Sequence, residues 1–521
     1  ALMEKGIVTI DVALIQTSPP DQHGYLSLGV SVDMVKTATD KSPLCIAQVN
    51  TNMPRTHGDG FLHIKDVDFI LPHDEPLLEI KRAVTTELTD RIGNYVARLI
   101  QDGDTIQVGY GSLPNAIVSN LFAKRHLGVH TELLSDGLVN LIKAGVVDNS
   151  RKTINRGMTV AAFAMGTRET YDFLHDNPAI MFRTIDYTND ISLISRQDNM
   201  VAINSALEID LTGQATSESI GNTFYSGIGG HYDFMRGALL AKNGKTILAV
   251  KSTAHNDTVS RIVPVLSEGA GVTLNRGDVR YVVTEYGIAY LHGKNIRDRA
   301  MSLIAIAHPK FRPWLIEEAK RRGLIFRDQA FIPGRRGEYP EHLETFRTTK
   351  TGLTIKLRPV RMNDESAFKD FLYSLSDKSL HRRFLSKRQD IPHERLQDFV
   401  IIDYTKEMVI LAVTGQQDNE TIVAVGQYGI DEASHTAEIA FAVRDDHHNR
   451  GIGQTMLTYL TYLARREGLL GFTAEVLVEN KPMLHVFEKG GFDIKKKSDA
   501  GVYDLKMMFR ESADDESKKS R

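Results

Sequence analysis

The chain has 521 residues, of which 42% are hydrophobic and 25% charged, as in ordinary globular proteins of roughly two to four domains. A formal net charge of −3 excludes a strongly basic surface, so neither nucleic acid nor an anionic membrane is expected as a partner. The single cysteine, Cys45, excludes an internal disulfide framework and favours a reducing, cytoplasmic location. The sequence contains no apolar stretch long enough to cross a membrane and no signal-peptide pattern at its start.

The chain starts without a methionine, and a buried-strand pattern begins almost at once, at Ile7. The first residues of a natural domain are usually more loosely held than this. We therefore expect the chain to be a trimmed form of a longer one, with an incomplete amino-terminal subdomain.

The first hundred residues alternate between strand and helix patterns. Apolar runs of strand length lie at 7–15 and 44–49, with a short helix expected between them at 30–37. From 76 to 101 the apolar residues recur at helical spacing, and Gly103 follows as a C-cap. This order predicts an α/β fold in which helices cover a sheet.

A glycine-rich turn connects the next strand, 105–108, to a helix. Gly109 and Gly111 lie in the turn, and Pro114 falls in the first helical turn, where its missing N–H group is not needed. Such a turn presents backbone N–H groups to an anion, although many similar turns only reverse the chain.

Glu132 stands near the end of a second short strand, 128–134. Because ligands bind at strand ends in open α/β sheets, the carboxylate and the glycine turn are predicted to face one crevice. They suggest a nucleophilic carboxylate opposite an anion hole, whereas for Glu132 taken alone a solvated strand end is the more common case. His130, two residues earlier, is either an acid/base group or a hydrogen-bonded neighbour.

Two further segments carry candidate site residues. Glu208 competes with Glu132, because Leu207 and Ile209 would face the opposite side of a strand and leave Glu208 to point into a site. The segment 225–238 has three glycines in four residues, which permits close backbone approach. Beyond them, Asp233 and Arg236 are interpreted as a structural ion pair.

These blocks resemble the acetyl-CoA hydrolase/transferase family of CoA-transferases, which includes 4-hydroxybutyrate and butyrate:acetate enzymes. The likeness spans about residues 7–332 and recurs in the same order at 12–16, 18–24, 109–115, 204–214 and 229–238. It implies that Glu132 attacks the acyl-CoA, passes through an acyl anhydride and becomes a glutamyl-CoA thioester. The resemblance also implies a set of residues around the CoA thioester: Gly109, Tyr110, Gly111, Ser112, Leu113, Gly229 and Gly230.

The chain departs from that family at two points. The turn at 109–112 has fewer glycines than is usual, and His231 and Tyr232 stand where glutamine and a small apolar residue are common. These differences bear on the size of the acyl group rather than on the type of reaction. Since thioester exchange is nearly balanced in energy, neither metal nor ATP is expected.

Residues 353–509 resemble the GNAT acetyltransferase fold. A strand turns through Arg-Gly-Ile-Gly into an apolar-periodic helix, and further blocks follow at 475–477, 480–483 and 487–492. The resemblance implies that Glu438 is the base that deprotonates an amine, although a surface strand carboxylate is an equal reading. A protein lysine or a small amine is the expected acceptor. The resemblance implies the following acetyl-CoA-binding residues: Val443, His448, Asn449, Arg450, Gly451, Ile452, Gly453, Gln454 and Asn480.

The predicted fold is a two-subdomain α/β CoA-transferase followed by an α+β GNAT domain with a central mixed sheet. Its predicted parts are the remainder of the N-terminal subdomain at 1–101, a C-terminal subdomain with the catalytic glutamate at 102–332, a linker at 333–352, the GNAT domain at 353–510 and a disordered tail at 511–521.

The predicted protein is a homodimeric enzyme that uses coenzyme A, acyl-CoA, acetyl-CoA and a short carboxylate, with no metal. It moves CoA between an acyl-CoA and the acid, and its GNAT domain transfers acetyl groups. Two alternatives remain open. In the first, the protein is an acyl-CoA hydrolase in which water intercepts the intermediate. In the second, the GNAT domain is a regulatory sensor that binds acetyl-CoA without turnover.

Overall fold

The chain forms two compact units, Ala1–His308 and Pro309–Arg521. They are seen in a computed structural model that describes residues 2–80, 85–384, 393–415 and 419–510. The predicted disordered tail, 511–521, lies outside the described residues.

The division between the units falls before the predicted linker at 333–352. The preceding residues pack within unit 2, where Gln329 donates a hydrogen bond from Nε2 to Oε1 of Gln397 (3.2 Å). Part of the predicted linker, Thr345–Thr348, pairs as an antiparallel strand with Thr354–Pro359. These twenty residues therefore contribute an edge strand, which their polar composition does not reveal.

Unit 1 is an α/β unit with short strands in several small sheets and one larger sheet. Its helices are α1 (Val35–Lys41), α2 (Glu87–Leu99), α3 (Ser112–Ser119), α4 (Asp136–Lys143), α5 (Arg168–Leu174), α6 (Ile185–Thr188), α7 (Ile191–Ser195), α8 (His231–Leu240) and α9 (Ile296–Ile306). Its strands are β1 (Ala13–Thr17), β2 (Tyr25–Ser27), β3 (Cys45–Val49), β4 (His57–Gly58), β5 (Phe61–His63), β6 (Phe69–Pro72), β7 (Thr105–Val108), β8 (Gly128–Val129), β9 (Leu133–Ser135), β10 (Thr159–Ala161), β11 (Phe163–Met165), β12 (Ile180–Phe182), β13 (Met200–Ser205), β14 (Glu208–Asp210), β15 (Ala215–Thr216), β16 (Ser219–Ile220), β17 (Thr223–Phe224), β18 (Lys245–Ala249), β19 (Thr253–Ala254), β20 (Val259–Ser260), β21 (Ile262–Val263), β22 (Tyr281–Thr284) and β23 (Gly287–Tyr290).

The largest sheet of unit 1 positions the candidate site. Its order is β23-β22-β18-β13-β7-β8, and every pair is parallel except β22 with β23. Strands β7 and β22 are buried throughout, as expected for a sheet covered on both faces. From β7 the chain goes to β8 on one side and later to β13 on the other. This reversal of strand order creates a crevice at the carboxyl ends of β7, β8 and β13.

Helix α2 is shorter than predicted. The apolar spacing suggested a helix over 76–101, but the helix begins at Glu87 because Thr86 caps it. The Thr86 side chain accepts a hydrogen bond from the Thr89 N–H, and the Thr89 side chain accepts one from the Thr86 N–H. This reciprocal capping satisfies two donors at the helix start, so residues 76–80 remain extended and irregular.

Unit 2 has an eight-stranded mixed sheet in the order β24-β25-β26-β27-β28-β29-β31-β30. Its strands are β24 (Thr345–Thr348), β25 (Thr354–Pro359), β26 (Glu407–Thr414), β27 (Thr421–Asp431), β28 (Thr436–Val443), β29 (Gly471–Leu477), β30 (Phe492–Asp499) and β31 (Val502–Phe509). Its helices are α10 (Arg312–Arg321), α11 (Glu365–Ser374), α12 (Asp377–Phe384), α13 (His393–Val400), α14 (Ile452–Arg466) and α15 (Lys481–Glu488).

The two faces of this sheet carry separate apolar cores. Along β26, Ile410 and Ala412 join the core that includes α14, whereas Val409 and Leu411 join the core that includes α11 and α13. The alternation follows from the two-residue period of a strand. It explains why β26 is apolar at six consecutive positions, since both of its faces are covered.

Candidate active sites

Glu132 lies in a short break between β8 and β9. The predicted continuous strand over 128–134 is interrupted there, and Glu132 occupies a bend. Its carbonyl oxygen accepts hydrogen bonds from the N–H groups of Ala162 (2.9 Å) and Phe163 (3.1 Å). The neighbouring strand β11 therefore fixes the Glu132 backbone, while the half-buried side chain is left to face other groups.

The Glu132 carboxylate is held by an amide. Its Oε2 accepts a hydrogen bond from Nδ2 of Asn189 (3.0 Å). Oδ1 of Asn189 accepts a bond from Oγ1 of Thr188 (2.9 Å), which orients the amide nitrogen toward the carboxylate. Asn189 is the C-cap of α6, and Asp190 follows it as the N-cap of α7, so the turn between the two helices places the Asn189 side chain. Sequence reasoning missed Asn189, because no local motif marks a residue that acts 57 positions away.

Gly230 lies directly against the two interacting side chains. A Cβ atom at this position would be 1.9 Å from Oε2 of Glu132 and 2.2 Å from Nδ2 of Asn189. Both distances are far below van der Waals contact, so the space beside the carboxylate exists only because residue 230 is glycine. Gly230 is buried and is the N-cap of α8, whereas Gly229 is exposed and has a φ of +61°.

Asp233 in the first turn of α8 is a second carboxyl group beside Glu132. Burial and the Glu132 charge raise the pKa of Asp233, and a hydrogen bond from Asn189 acts in the opposite direction. The ion pair predicted between Asp233 and Arg236 is wrong. Nη1 of Arg236 binds Oδ1 of Asp278 at 2.8 Å instead, because this buried carboxylate lies within its reach.

The glycine turn at 109–113 follows β7 and lies at the carboxyl edge of the sheet. A Cβ atom on Gly109 would be 2.6 Å from Oδ1 of Asn204, so glycine is needed for the turn to pass this side chain. Asn204 and Gln107 exchange two side-chain hydrogen bonds (2.9 and 3.2 Å) that tie β13 to β7 beneath the turn. Gly111 has a φ of +133° and precedes α3.

The other residues of this turn differ in exposure. Tyr110 is exposed, Leu113 is buried, and Ser112 is the first residue of α3. Among the described residues, no hydrogen bond joins the turn to Glu132. The pairing of β7 with β8 sets Val129, the residue before His130, opposite Ile106, and β7 continues two residues farther before it reaches Gly109.

His130 is a fully buried neighbour of the site. Its Nε2 donates to the carbonyl oxygen of Thr188 (2.9 Å), the residue before Asn189. Burial, aided by the charge of Lys152, lowers the pKa of His130 to about 4. The ring is therefore neutral near pH 7, and the hydrogen-bonded reading explains it better than an acid/base role.

Acid should destabilise unit 1 through His130 and His231, since burial lowers the pKa of each to about 4. The unfolded chain binds these protons below about pH 6.5, so stability is lost as pH falls from about 6.5 toward about 4. Each histidine contributes on the order of 3 kcal/mol over this window. Hydrogen exchange of unit 1 peptides at pH 7.5 and pH 5 measures the loss.

The matched variants are His130→Gln and His126→Gln. The first is expected to flatten the pH dependence, because no buried imidazole remains to be protonated at that position. The second removes an exposed histidine that binds Asp148, and it should leave the slope unchanged. An equal slope in both variants would show that buried His130 does not govern acid stability.

The Glu208 carboxylate makes a structural contact with Ser267. Its Oε1 accepts from Oγ of Ser267 (2.7 Å) and its Oε2 from the backbone N–H of the same residue (3.0 Å). It lies on β14 in a separate three-stranded sheet and is 7% exposed. Both oxygens are thus engaged, which leaves Glu132 as the better nucleophile candidate.

In unit 2, a tight loop joins β28 to α14. Asn449 and Gly451 both have left-handed backbones, with φ of +61° and +80°, and Gly451 is the N-cap of α14. Nε2 of His448 donates to the carbonyl oxygen of Val443 (2.9 Å), which holds the loop against the strand end. Oγ1 of Thr351 donates to the Arg450 carbonyl oxygen (3.1 Å).

The start of α14 suits an anion. The first N–H groups of a helix, here from Ile452, Gly453 and Gln454, have no acceptor within the helix. Together with the helix dipole they favour a phosphate group. A Cβ atom on Gly453 would be 3.5 Å from the Phe441 ring, so the helix packs closely on β28.

Strands β28 and β29 pair in parallel at three positions, Thr436–Glu438 with Gly471–Thr473. Beyond Glu438 the ladder between them ends, although β28 continues to Val443 and β29 to Leu477. Because the ladder ends there, the backbone groups of β28 that lead to the loop at 448–451 no longer pair with β29. Such an edge accepts an extended ligand by hydrogen bonding.

Glu438 is exposed at the point where this ladder ends. Burial lowers the pKa of Arg383 in α12 to about 10, and the charge of Glu438 opposes this shift. Asn480, predicted to contact CoA or a water, is buried and caps α15, where its side chain accepts from the Met483 N–H (3.4 Å).

Over the described part of the chain, no three His, Cys, Asp or Glu side chains are grouped to hold a metal ion. Within the same residues, no helix combines the length and apolar character needed to span a bilayer.

Comparison with known families gives three matches. Residues 1–80 match the acetyl-CoA hydrolase/transferase N-terminal domain, and residues 166–319 match the C-terminal domain of the same family. Residues 373–492 match the acetyltransferase (GNAT) family.

Individual relatives agree with these matches. The chain is 49% identical over 322 residues to a 4-hydroxybutyrate coenzyme A transferase of Clostridium kluyveri, covering 62% of this chain and 75% of the relative. It is 46% identical over 316 residues to a succinyl-CoA:cyclohexane-1-carboxylate CoA transferase of Geobacter metallireducens, covering 61% and 72%. The crystal structure of RipA from Yersinia pestis is similar with a TM-score of 0.59 and 43% identity, covering 61% and 72%.

The crevice, the Glu132 carboxylate that Asn189 holds by a hydrogen bond, and these matches together define the class of protein. The chain belongs to the acetyl-CoA hydrolase/transferase family and carries a C-terminal GNAT domain. The resemblance that the sequence motifs indicated is thus confirmed.

Proposed function

We propose that unit 1 moves CoA between an acyl-CoA and a short-chain carboxylate through a glutamyl-CoA thioester on Glu132. The observation that carries this proposal is the carboxylate itself. It is half-buried, receives one hydrogen bond from Asn189, and borders a space that any side chain at position 230 would fill. A carboxylate is a poor nucleophile in water, so a partly desolvated and oriented one is what the chemistry requires.

The reaction is a double displacement. An oxygen of Glu132 attacks the thioester carbonyl carbon, the C–S bond breaks, and CoA leaves as a thiolate. The thiolate then attacks the glutamyl carbonyl of the mixed anhydride and releases the original acid as a carboxylate. The incoming acid reverses these steps, so no redox partner, metal or ATP enters the balance.

Backbone donors are expected to stabilise the oxyanion of each step. The N–H groups of the turn at 109–113 and of the Gly229–Gly230 segment both belong to structures that lead into helix N-termini. Preorganised donors of this kind are a large contribution to acyl transfer. Asn189 keeps the second Glu132 oxygen in place, which fixes the direction of attack.

The proposed acids are of acetate, butyrate or 4-hydroxybutyrate type. Similar proteins are named as transferases that use 4-hydroxybutyrate, butyrate or acetate. Other relatives are named for succinyl-CoA or for acetyl-CoA hydrolysis. A panel of acids with acetyl-CoA and butyryl-CoA as donors therefore covers the range.

Exchange of isotope tests this function. A transferase incorporates labelled acetate into acetyl-CoA with no second acid present, because the glutamyl-CoA enzyme reacts back with the acid. Initial rates with donor and acceptor varied together should give parallel double-reciprocal lines. Steady release of free CoA without exchange would favour the hydrolase instead.

We further propose that the GNAT domain binds acetyl-CoA at the separating strands and transfers the acetyl group to an amine. The start of α14 suits the pyrophosphate, the edge of β28 suits the extended pantetheine arm, and exposed Glu438 is within reach of an amine delivered to the same edge. A lysine side chain or a small amine is the proposed acceptor.

Glu438→Gln should reduce acetyl transfer by about 10²-fold, because no carboxylate remains to take the amine proton. The assay measures acetyl-CoA consumption with polylysine and a panel of small amines, in a Glu132→Gln background that silences unit 1. The matched control is Glu475→Gln, which removes an exposed carboxylate from the neighbouring strand β29.

Equal rates in both variants would remove Glu438 from the mechanism. Binding of acetyl-CoA with no acetylation of any amine would favour the regulatory sensor over the enzyme.

A further inference from the structure

A closed ring of contacts links the Glu132 carboxylate to His130, two residues earlier in the chain. Nε2 of His130 donates to the carbonyl oxygen of Thr188 at 2.9 Å, and Oγ1 of Thr188 donates to Oδ1 of Asn189 at 2.9 Å. Nδ2 of Asn189 then donates to Oε2 of Glu132 at 3.0 Å. The two backbone segments, 130–132 and 188–189, close the ring, so a shift at any of these contacts reaches the carboxylate.

The backbone on the glutamate side of this ring is fixed by its own hydrogen bonds. The His130 N–H donates to the carbonyl oxygen of Ile106 (3.2 Å), and the Thr131 N–H donates to that of Val160 (3.0 Å). The Glu132 carbonyl oxygen accepts from two N–H groups at β11. The carboxylate therefore projects from a fixed backbone, and its orientation depends on where the amide that binds it is held.

Helix α6, which ends at Thr188 and leads to Asn189, is a single turn of four residues. A helix this short is not stable by itself, so contacts from other segments have to hold it. At its start, the N–H group of Ile185 donates to the carbonyl oxygen of Asp33 (3.0 Å). At its end, the Thr188 carbonyl lacks a donor within the helix, and the ring of His130 supplies one. His130 thus holds the end of α6 from which the amide projects.

The His130 ring is itself closely held. It is fully buried and lies beside the rings of Tyr187 (centroids 6.4 Å apart) and Phe234 (6.1 Å). Its Nδ1 is buried and makes no hydrogen bond within the described part of the chain, so the bond to Thr188 is the one hydrogen bond of the ring there. Since a carbonyl oxygen only accepts, the ring proton lies on Nε2. The ring therefore acts as a donor to α6.

We propose that His130 is a positioning residue for Glu132. By holding the end of α6, it keeps the Asn189 amide where one oxygen of the carboxylate is bound and the other is available for attack. The inference rests on the proposed glutamyl-CoA mechanism and goes beyond it, because no step of that mechanism uses the imidazole. A displacement of the nucleophile by about 1 Å is enough to cost about 10²-fold in rate, so a partial loss of this hold should lower kcat.

The test follows exchange of labelled acetate into acetyl-CoA by the full chain. His130→Met removes the donor but keeps a side chain of similar length. It should lower kcat about 30-fold and leave the KM for acetyl-CoA within about threefold, because the nucleophile moves while the CoA contacts persist. His130→Gln keeps an N–H donor for the Thr188 carbonyl and should recover most of the rate.

Thr188 provides a second pair of variants within the ring. Thr188→Val removes only the hydroxyl that orients Asn189 and should lower kcat about tenfold. Thr188→Ser keeps a hydroxyl and should restore the rate. Both variants leave the carbonyl bound by His130, so this pair tests the ring even if His130→Met does not fold.

An Asn189→Ala background shows whether the effect of His130 passes through the amide. In that background the carboxylate has already lost this donor. His130→Met should therefore change the exchange rate by less than about twofold there, because two changes that act through one contact are not additive.

Thr246→Val is the control for a general loss of stability. Thr246 is fully buried near the amino end of β18, at the edge of the sheet opposite the crevice. Its hydroxyl donates to the carbonyl oxygen of Asp278 (2.8 Å) and accepts from the Arg280 N–H (2.8 Å). This variant loses two buried hydrogen bonds and should keep an exchange rate near that of the wild type.

Unchanged kcat in both His130→Met and Thr188→Val, with normal exchange in the wild type, would overturn the inference and leave the proposed function intact. A full loss by His130→Met in the Asn189→Ala background would overturn it too, since the ring would then act by another route. So would an equal loss in Thr246→Val, which would assign the effect to stability. If the wild type consumes thioester without exchange, the transferase mechanism fails and the inference fails with it.

Discussion

Glu132→Gln is expected to reduce CoA transfer by at least about 10⁴-fold, because the amide cannot attack a thioester. The Asn189 hydrogen bond to the side chain at position 132 can persist, so the fold and acyl-CoA binding should be retained. The rate of labelled acetate exchange into acetyl-CoA measures the effect.

Glu208→Gln is the matched control for this variant. Its carboxylate serves Ser267 in a separate sheet, so the change should cost about 1–2 kcal/mol of stability and leave the exchange rate within a few fold. Loss of activity in Glu208→Gln with retention in Glu132→Gln would reverse the assignment of the nucleophile.

Gly230→Ala is expected to lower the same rate by about 10²- to 10³-fold. The added methyl group would lie 1.9 Å from Oε2 of Glu132, so either the carboxylate or the α8 N-terminus has to move. Displacement of a nucleophile by about 1 Å is enough to disrupt attack. The fall should appear in kcat more than in KM, because the reacting group moves while most of the CoA contacts persist.

Gly227→Ala provides the control in the same loop. A Cβ atom there has open space within 4 Å, and the residue has an ordinary backbone conformation. Its exchange rate should remain near that of the wild type. A large loss in both variants would indicate that loop mobility, not the approach of Gly230 to Glu132, limits the reaction.

The regular elements were largely predictable because their patterns are local. The strand expected at 44–49 is observed as Cys45–Val49, and the one at 105–108 as Thr105–Val108. The glycine turn after the second strand leads into a helix as expected. Boundaries set by side-chain caps were less accessible, as the late start of α2 at Glu87 shows.

The site was only partly predictable. Glu132 and Gly230 carry a family resemblance, and the structure places them against each other. Asn189 acquires its role through a contact between distant segments, which composition and spacing do not encode. The same limit explains Arg236, whose partner Asp278 lies 42 residues away rather than on the same helix.

The edge strand β24 shows a different limit. Thr345–Thr348 is short and three of its four residues are polar, so it resembles a linker in sequence. Its pairing with β25 depends on the free edge of a sheet that forms elsewhere in the chain. Tertiary pairing, not local propensity, decides its structure.

The central claim is covalent catalysis by Glu132, and trapping tests it most directly. The protein is incubated with acyl-CoA, treated with borohydride and analysed by intact mass and peptide mapping. Borohydride reduces a glutamyl thioester to a primary alcohol, which should be found at Glu132 in the wild type and be absent from Glu132→Ala. Thioester turnover with no modification at Glu132 would contradict the glutamyl-CoA mechanism.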